Sequence, residues 1–295
     1  MGMSINTNLS ALNTYRNLNS TQNDLSKSLE KLSTGLRINR AADDAAGLSI
    51  SEGLKSQVGG LTVAARNAQD GISVVQTAEG GLTETHSILQ RMRDLAVQAG
   101  NDSNNADSRG AIKTEVDQLQ KELTRISGSA NFNGIKLLDG KAGSAADGKL
   151  QFQVGANGDT ASQITVDLAG ADVSSIAGKL TTDTYKADGT VDVAGAIKFD
   201  TATDAQAAIS TIDEQIKAVS SARSNIGAVQ NRFDHAINVT NVAKENLTAA
   251  GSRITDVDMA EEMVKYTRDN ILSQAGTSML AQANQSTQGV LSLLR

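Results

Sequence analysis

The chain has 295 residues, of which 39% are hydrophobic and 2% aromatic, and its net charge is −6; this length allows about one to three domains. It contains no proline and no cysteine, which excludes disulfides and thiolate metal sites and favours long uninterrupted helices. The acidic balance argues against nucleic-acid binding, and no apolar run reaches the length of about 18 residues that a membrane-spanning helix needs.

The first predicted element is a helix that starts at residues 6–7, two good capping residues, and runs to about Leu36. Residues 1–6 lack the basic and apolar regions of a secretory signal peptide, so we expect none. Leucines recur along this helix at heptad-like spacing, which is typical of a surface that needs a partner helix. They are Leu9, Leu12, Leu18, Leu25, Leu29, Leu32 and Leu36.

A polar, small-residue joint at 40–47 precedes a second, longer helix. Its positions from 54 to 96, spaced alternately by four and three, are mostly apolar, which is a strong coiled-coil signal. The exceptions are Glu79, His86 and Arg93. A turn-forming cluster at 100–105 leads to a third helix that ends at Gly128, and the short loop implies an antiparallel return.

Beyond residue 131 the apolar pattern changes from helical to alternating. The runs 150–154 and 164–168 flank a glycine-rich turn and predict a β-hairpin. Residues 170–204 are rich in Gly, Thr, Asp and Ala, and we expect them to form a small, weakly structured insertion.

A capping-box pattern at 201–204 begins a very long helix that we expect to run to about Gly251. A second such pattern at 255–258 marks a new helix start and a joint that mirrors the one at 40–47. The last helix carries a second apolar stripe without a local partner. Its residues are Met259, Met263, Tyr266, Met279, Leu280, Val290, Leu293 and Leu294.

These elements predict a mainly α fold of long, antiparallel, coiled-coil-like helices with a small β-hairpin region. The terminal helices form a pair, and the other helices form a rod domain. Each end of the chain lies beyond a joint, and its apolar stripe has no partner within the chain except the stripe of the other end. Self-assembly of the chain is therefore the first functional hypothesis. We find no nucleophile–base pair, metal-ligand cluster or phosphate loop, and the histidines, His86 and His235, lack zinc-protease spacing. We therefore expect no enzyme activity, metal or cofactor.

Several segments, in order along the chain, resemble those of bacterial flagellins. They are INTNLSAL (5–12), LEKLSTGLRIN (29–39), DDAAG (43–47), RNAQDGIS (66–73), AGTSMLAQANQ (275–285) and VLSLLR (290–295). The resemblance covers about residues 4–178 and 205–295, and residues 179–204 carry no family signal.

This resemblance implies a structural subunit that polymerises into the flagellar filament for swimming motility. In the family, the paired terminal helices form an inner tube and the next domain an outer tube. Accordingly, 1–43 and 255–295 would form the inner-tube helical domain. The outer-tube domain would comprise 44–178, with two helices and the β-hairpin, and 205–254. Residues 179–204 would be a short variable insertion.

The resemblance also implies partners and a location. The main partner is the chain itself, in a homopolymer held together by both apolar stripes. We expect the two ends of the chain to be disordered in the monomer. Others are the flagellar cap and hook-junction proteins, and an export chaperone that covers the C-terminal stripe. Export follows the flagellar type III route, so the location is secreted, in the extracellular filament. We expect neither nucleic-acid binding nor membrane insertion.

The segment 89–98, LQRMRDLAVQ, resembles the part of some flagellins that Toll-like receptor 5 recognises. Arg91 offers a bidentate fork and Leu95 an apolar anchor, and Glu115 matches a third contact position. The alternative is that these residues face a neighbouring subunit in the filament. The two roles are compatible, because receptor binding would need the monomer.

Three other classes of protein stay open from the residues alone. A hook–filament junction protein shares the pattern of the terminal helices, although the full C-terminal resemblance favours a flagellin. A soluble coiled-coil assembly protein or adaptor is the second class. The third is a membrane-surface amphipathic protein, against which the acidic balance argues.

Overall fold

The computed structural model describes residues 8–182, 184–185, 191–193 and 195–293. These residues form six α-helices and three antiparallel strand pairs, which confirms the mainly α prediction with a small β region. The helices are α1 Leu9–Thr34, α2 Ala45–Ala99, α3 Ala106–Ser129, α4 Val173–Gly178, α5 Ala202–Thr255 and α6 Met259–Leu293. The strand pairs are β1 Asn131–Phe132 with β2 Ile135–Lys136, β3 Lys149–Gln153 with β4 Gln163–Asp167, and β5 Thr184–Tyr185 with β6 Val191–Val193.

The chain divides into two compact units. The terminal unit is Met1–Val58 with Glu245–Arg295, and the central unit is Gly59–Lys244. Long helices form because proline is absent and apolar residues recur with helical period. The helix breaks at 35–44 and 256–258 lie near the two predicted joints. We refer to residues 35–44 and residues 254–258 as the two joints.

In the central unit, α2 packs against α5 along the predicted four-three spacing. Every predicted position on α2 from Leu61 to Ala96 is buried or half-buried, as expected of a heptad seam. Two of the polar exceptions in the seam find partners on α5, whereas His86 contacts a glutamine on its own helix. Arg93 Nε donates to Asp213 Oδ1 at 2.6 Å, and Glu79 accepts a hydrogen bond from a glutamine of α5 at 3.3 Å. The order of these contacts makes the two helices antiparallel.

Gly71 and Gly81 are two of the glycines on α2 that allow close packing. A Cβ on Gly71 would lie 2.6 Å from Phe233 Cζ, and one on Gly81 would lie 2.6 Å from Leu138 Cδ1. Either would force a neighbouring side chain to move. The adjacent Gly80 meets open space, so packing does not require a glycine there.

Two local predictions are confirmed. Thr201 and Asp204 form a capping box, in which Asp204 N donates to Thr201 Oγ1 at 3.1 Å and Thr201 N donates to Asp204 Oδ2 at 3.2 Å. The strands β3 and β4 form the predicted hairpin, with Phe152 paired to Ile164.

Two predicted helix starts need correction. The cap of α1 is Asn8, whose Oδ1 accepts from Ala11 N at 3.0 Å; residues 6–7 lie outside the described residues. The cap of α6 is Asp258, whose Oδ1 accepts from Glu261 N at 3.1 Å. Thr255 is instead the last residue of α5. In each case the helix is capped by a residue close to the predicted one.

Described residues towards both ends of 170–204 contribute to the core, so the expectation of weak structure is wrong there. The helix α4 packs beside α3. Leu180, Ile197 and Phe199 are buried and join the main hydrophobic cluster. Short apolar runs are enough to form an ordered part of the core here, because the neighbouring helices cover them.

Replacing Phe233 by alanine is expected to lower the free energy of unfolding by about 3–5 kcal/mol. Phe233 is fully buried, and its ring packs edge-on against Phe152 with centroids 5.5 Å apart. Chemical denaturation followed by circular dichroism measures the change. The control is Val239→Ala on the same helix, whose side chain is 70% exposed and whose loss should cost less than about 0.5 kcal/mol. Equal costs for the two variants would contradict this core assignment.

Candidate assembly interface

The paired ends of the terminal unit, α1 and α6, contact each other along inward faces with heptad spacing. On each helix, buried and half-buried residues recur every three or four positions, and most of them are small or polar. On α1 these inward residues are Ala11, Thr14, Leu18, Thr21, Leu25, Ser28 and Leu32. On α6 they are Glu262, Tyr266, Asp269, Ser273, Gly276, Leu280 and Ala283.

The inward face contains a buried hydrogen bond between two polar side chains. Ser28 and Glu262 are each 5% exposed, and Ser28 Oγ donates to Glu262 Oε1 at 2.6 Å. Lys265 Nζ lies 2.8 Å from Glu261 Oε1 and 3.7 Å from Glu262 Oε2. The hydrogen bond to Glu261 is the main cause that raises the pKa of Lys265 above its usual range.

Two further contacts show how closely the helices approach. Asn8 Nδ2 donates to the carbonyl oxygen of Ala283 at 3.0 Å, so the cap of α1 also binds α6. A Cβ on Gly276 would lie 3.8 Å from Leu18 Cβ and 3.2 Å from its Cδ1. Small inward residues such as Gly276 therefore let the two backbones come near each other.

Much of the predicted apolar pattern faces solvent instead of the partner helix. Leu18, Leu25 and Leu32 face α6, together with Tyr266 and Leu280 from the other stripe. The exposed members are Leu9, Leu12, Leu29, Leu36, Met259, Met263 and Met279. The residues predicted as one stripe on each helix are thus divided between two faces.

Exposed apolar residues that the sequence prediction missed extend this surface on α6. Val264, Ile271 and Leu272 are 68%, 61% and 50% exposed. With Met263 they line an apolar groove. We call these residues and the exposed members named above the outward apolar face. The sequence contains a signal for these residues, since Val264 and Ile271 are seven residues apart. The predicted stripe instead follows a row that begins with Met259 and Met263.

Three predicted residues at the C-terminal end cannot be placed on either face. The side chains of Val290 and Leu293 lie outside the described part of the chain, as does the whole of Leu294.

The two joints are hydrogen-bonded to each other within the terminal unit. Arg37 N donates to Thr255 O at 2.6 Å, and Val257 N donates to Gly35 O at 3.1 Å. The guanidinium of Arg37 adds bonds to Ile254 O, at 3.2 Å from Nε and 2.8 Å from Nη2. Gly35 ends α1 in the left-handed conformation, with φ 74°. The end of α1 and the start of α6 are therefore held side by side.

The turn between α1 and α2 depends on two successive aspartates. Asp43 Oδ2 accepts from the backbone N of Arg40 at 2.9 Å and of Asn39 at 3.2 Å. These bonds, that of Arg40 first, lower the pKa of the Asp43 carboxyl below its usual range. Asp44 Oδ1 then accepts from Gly47 N at 2.8 Å in the first turn of α2.

The candidate receptor residues are only partly at the surface. Arg91 donates from Nε and Nη2 to Glu115 Oε1 at 2.9 and 2.6 Å, and these side chains are 55% and 45% exposed. Leu95 is 2% exposed and belongs to the core. The apolar-anchor role expected of Leu95 does not fit this position, because its side chain is covered by the protein itself.

Within the described residues, no group of three or more His, Cys, Asp or Glu is arranged to hold a metal ion. No helix in the same part of the chain is long and apolar enough to cross a membrane.

Comparisons with known proteins agree along the chain. A family model for the bacterial flagellin N-terminal helical region matches residues 5–143, and one for the C-terminal helical region matches residues 209–294. A flagellin of Halalkalibacterium halodurans is 50% identical over 293 residues, and one of Bacillus subtilis is 49% identical over an alignment of 312. The flagellar filament 33 kDa core protein of Treponema phagedenis is 45% identical over 300. Each alignment covers 99% of this chain and 100% of the relative.

Lowering the pH is expected to loosen the turn at residues 39–44. The folded-state pKa of Asp43 is lowered, so its stabilising effect is complete above the ordinary aspartate value of about 4. The effect is lost as the pH falls through the lower folded value. Hydrogen-exchange protection of the Asn39 and Arg40 amides measures this loss. In Asp43→Asn the pH dependence should disappear; if it persists there, another group causes it.

Proposed function

The chain belongs to the bacterial flagellin family, and from this premise we propose how its two ends build a filament. As a flagellin, it is a structural subunit that polymerises into the bacterial flagellar filament for swimming motility. Our account of assembly rests on one observation, the division of the terminal helices into a small, polar inward face and an outward apolar face.

In this proposal the ends of other copies cover the outward apolar face. Burial of apolar surface contributes about 25 cal/mol per Å², so exposed side chains such as Leu9 and Val264 contribute only after assembly. The serines, threonines and glycine of the inward face bury little apolar surface within one copy. The terminal pair therefore gains most of its stability in the polymer, and we expect it to be disordered in the monomer.

The domain roles follow the same proposal. Residues 1–43 and 255–295 form the inner-tube domain, and 44–178 and 205–254 form the outer-tube domain. Residues 179–204 are a short variable insertion. The family models match both ends of the chain and leave residues 144–208 unmatched, which supports a variable segment in the middle.

We further propose that the subunit is exported by the flagellar type III route to the extracellular filament. There it contacts the cap and hook-junction proteins at the filament ends. Before export a cytoplasmic chaperone covers the exposed apolar residues of α6, since such a surface promotes premature association. The role is structural, without enzymatic activity or a cofactor.

We also propose Arg91 and Glu115 as a contact for Toll-like receptor 5 on the free subunit. Support comes from their exposure and from the direct bonds between them, which hold the charged groups of both side chains together at the surface. Leu95 acts there only as a buried residue beneath this surface. In the filament the same residues face a neighbouring subunit.

Combining Met263→Ser with Met279→Ser is expected to raise the critical concentration for polymerisation at least about tenfold. Both side chains are exposed in the single chain, at 51% and 60%, and would be buried between copies. Sedimentation after seeding heat-dissociated monomers, with electron microscopy, measures the change. The control is Gln274→Ser with Gln282→Ser, at exposed polar positions on the same helix. Equal polymerisation of both variants would contradict the role of the outward apolar face.

Arg91→Ala is expected to weaken signalling by the free subunit at least about tenfold, as loss of an arginine anchor does at other interfaces. Cells that carry Toll-like receptor 5 and a reporter measure it. The matched control is Arg125→Ala, which removes another exposed arginine–carboxylate pair, with Glu122 on α3. Full-strength signalling by Arg91→Ala would refute this contact.

A further inference from the structure

Heptad spacing alone leaves the register of α1 against α6 open. A shift of seven residues keeps inward residues inward and outward residues outward, so apolar patterning does not exclude it. The observed register places Leu18 against Gly276 and Ser28 against Glu262. We propose that the Ser28–Glu262 hydrogen bond is a register-determining pair, which selects this alignment of the two terminal helices.

Shifted registers deprive the Glu262 carboxylate of its donor. Moved by seven residues towards the start of α1, it lies opposite Thr21, whose hydroxyl hydrogen is donated to the Asn17 carbonyl at 3.0 Å. Moved by seven the other way, it lies opposite Gly35, beyond the end of α1 and without a side chain. Ser28 instead donates its hydroxyl hydrogen directly to Glu262. A buried carboxylate that loses its hydrogen bond is strongly destabilising.

The second carboxylate on the inward face has a different environment. Asp269 follows Glu262 by seven residues and is 9% exposed. Its Oδ1 accepts from Arg268 Nε at 3.5 Å, so a cation on its own helix lies within hydrogen-bond reach in any register. The lysine nearest to Glu262 Oε2, Lys265, is 3.7 Å away and bonds Glu261 at shorter range. The Glu262 carboxylate therefore depends on a donor from α1 more than the Asp269 carboxylate does.

The absence of cysteine from the sequence makes the register measurable by engineered disulfides. Leu18→Cys with Gly276→Cys reports the native register, because the Cβ atoms at these positions would be 3.8 Å apart, the usual separation in a disulfide. Ala11→Cys or Leu25→Cys, each with Gly276→Cys, reports a shift of seven residues, about 10 Å along the helix. Non-reducing electrophoresis of the full chain separates bonds within one chain from bonds between chains.

Each reporter is compared in the unchanged chain, in Glu262→Leu and in Glu262→Gln. We expect Glu262→Leu, which removes the need for a donor, to raise the ratio of shifted to native cross-links at least about tenfold. Glu262→Gln keeps an oxygen acceptor and should preserve the native ratio. Asp269→Asn is the matched control on the same face and should also leave it unchanged.

An unchanged ratio in Glu262→Leu would overturn the proposal and leave the joint hydrogen bonds as the determinant of register. If Glu262→Leu gives no cross-link at all, Ser28→Ala decides, since removal of the donor must raise the same ratio. Soluble and pelleted protein are both tested for the native cross-link. The ratio of shifted to native cross-links is then measured in the fraction that contains it. Failure of the unchanged chain to form a pellet contradicts the proposed function, and an unchanged ratio of cross-links in the variants contradicts the register pair.

Discussion

The hydrogen bonds between the two joints are the constraint on which the terminal unit depends. Residues 35–37 and 254–257 come from distant parts of the sequence, yet their backbones are bonded directly. With the end of α1 held beside the start of α6, antiparallel pairing can extend from this point along the inward faces, where the proposed Ser28–Glu262 pair selects the register. The entropic cost of bringing distant segments together is met once, at the joint, and each later turn of the pair is a local step.

The inward faces of the terminal helices carry more small and polar residues than the buried faces of helices in an ordinary globular domain. Such helices bury apolar side chains and expose polar ones. Here the inward face holds serine, threonine and a buried carboxylate, while Leu9, Val264 and Ile271 are more than half exposed. Pairing within one copy therefore leaves much apolar surface exposed, and in the proposed filament association of many copies would bury it.

The sequence predicted those features that local chemistry determines. Helix period located α2 and α5, the Thr201–Asp204 box fixed the start of α5, and alternation located β3 and β4. The β1–β2 pair was missed although Asn133 and Gly134, both with positive φ, are a strong hairpin signal. The side of α1 on which each leucine lies depends on the surface of α6, and the burial of Leu95 depends on the packing around α2. Neither is encoded in the spacing of one helix.

Gly80 and Gly81 give α2 a local property that its length conceals. Leu138 occupies the space where a side chain of Gly81 would lie, whereas nothing fills the space beside Gly80. Each glycine costs about 1 kcal/mol of helix propensity relative to alanine, so two in succession make a point of low local stability within a very long helix. We expect the amides on either side to open as separate cooperative segments. In mechanical terms, we expect residues 80–81 to be a softer link within α2.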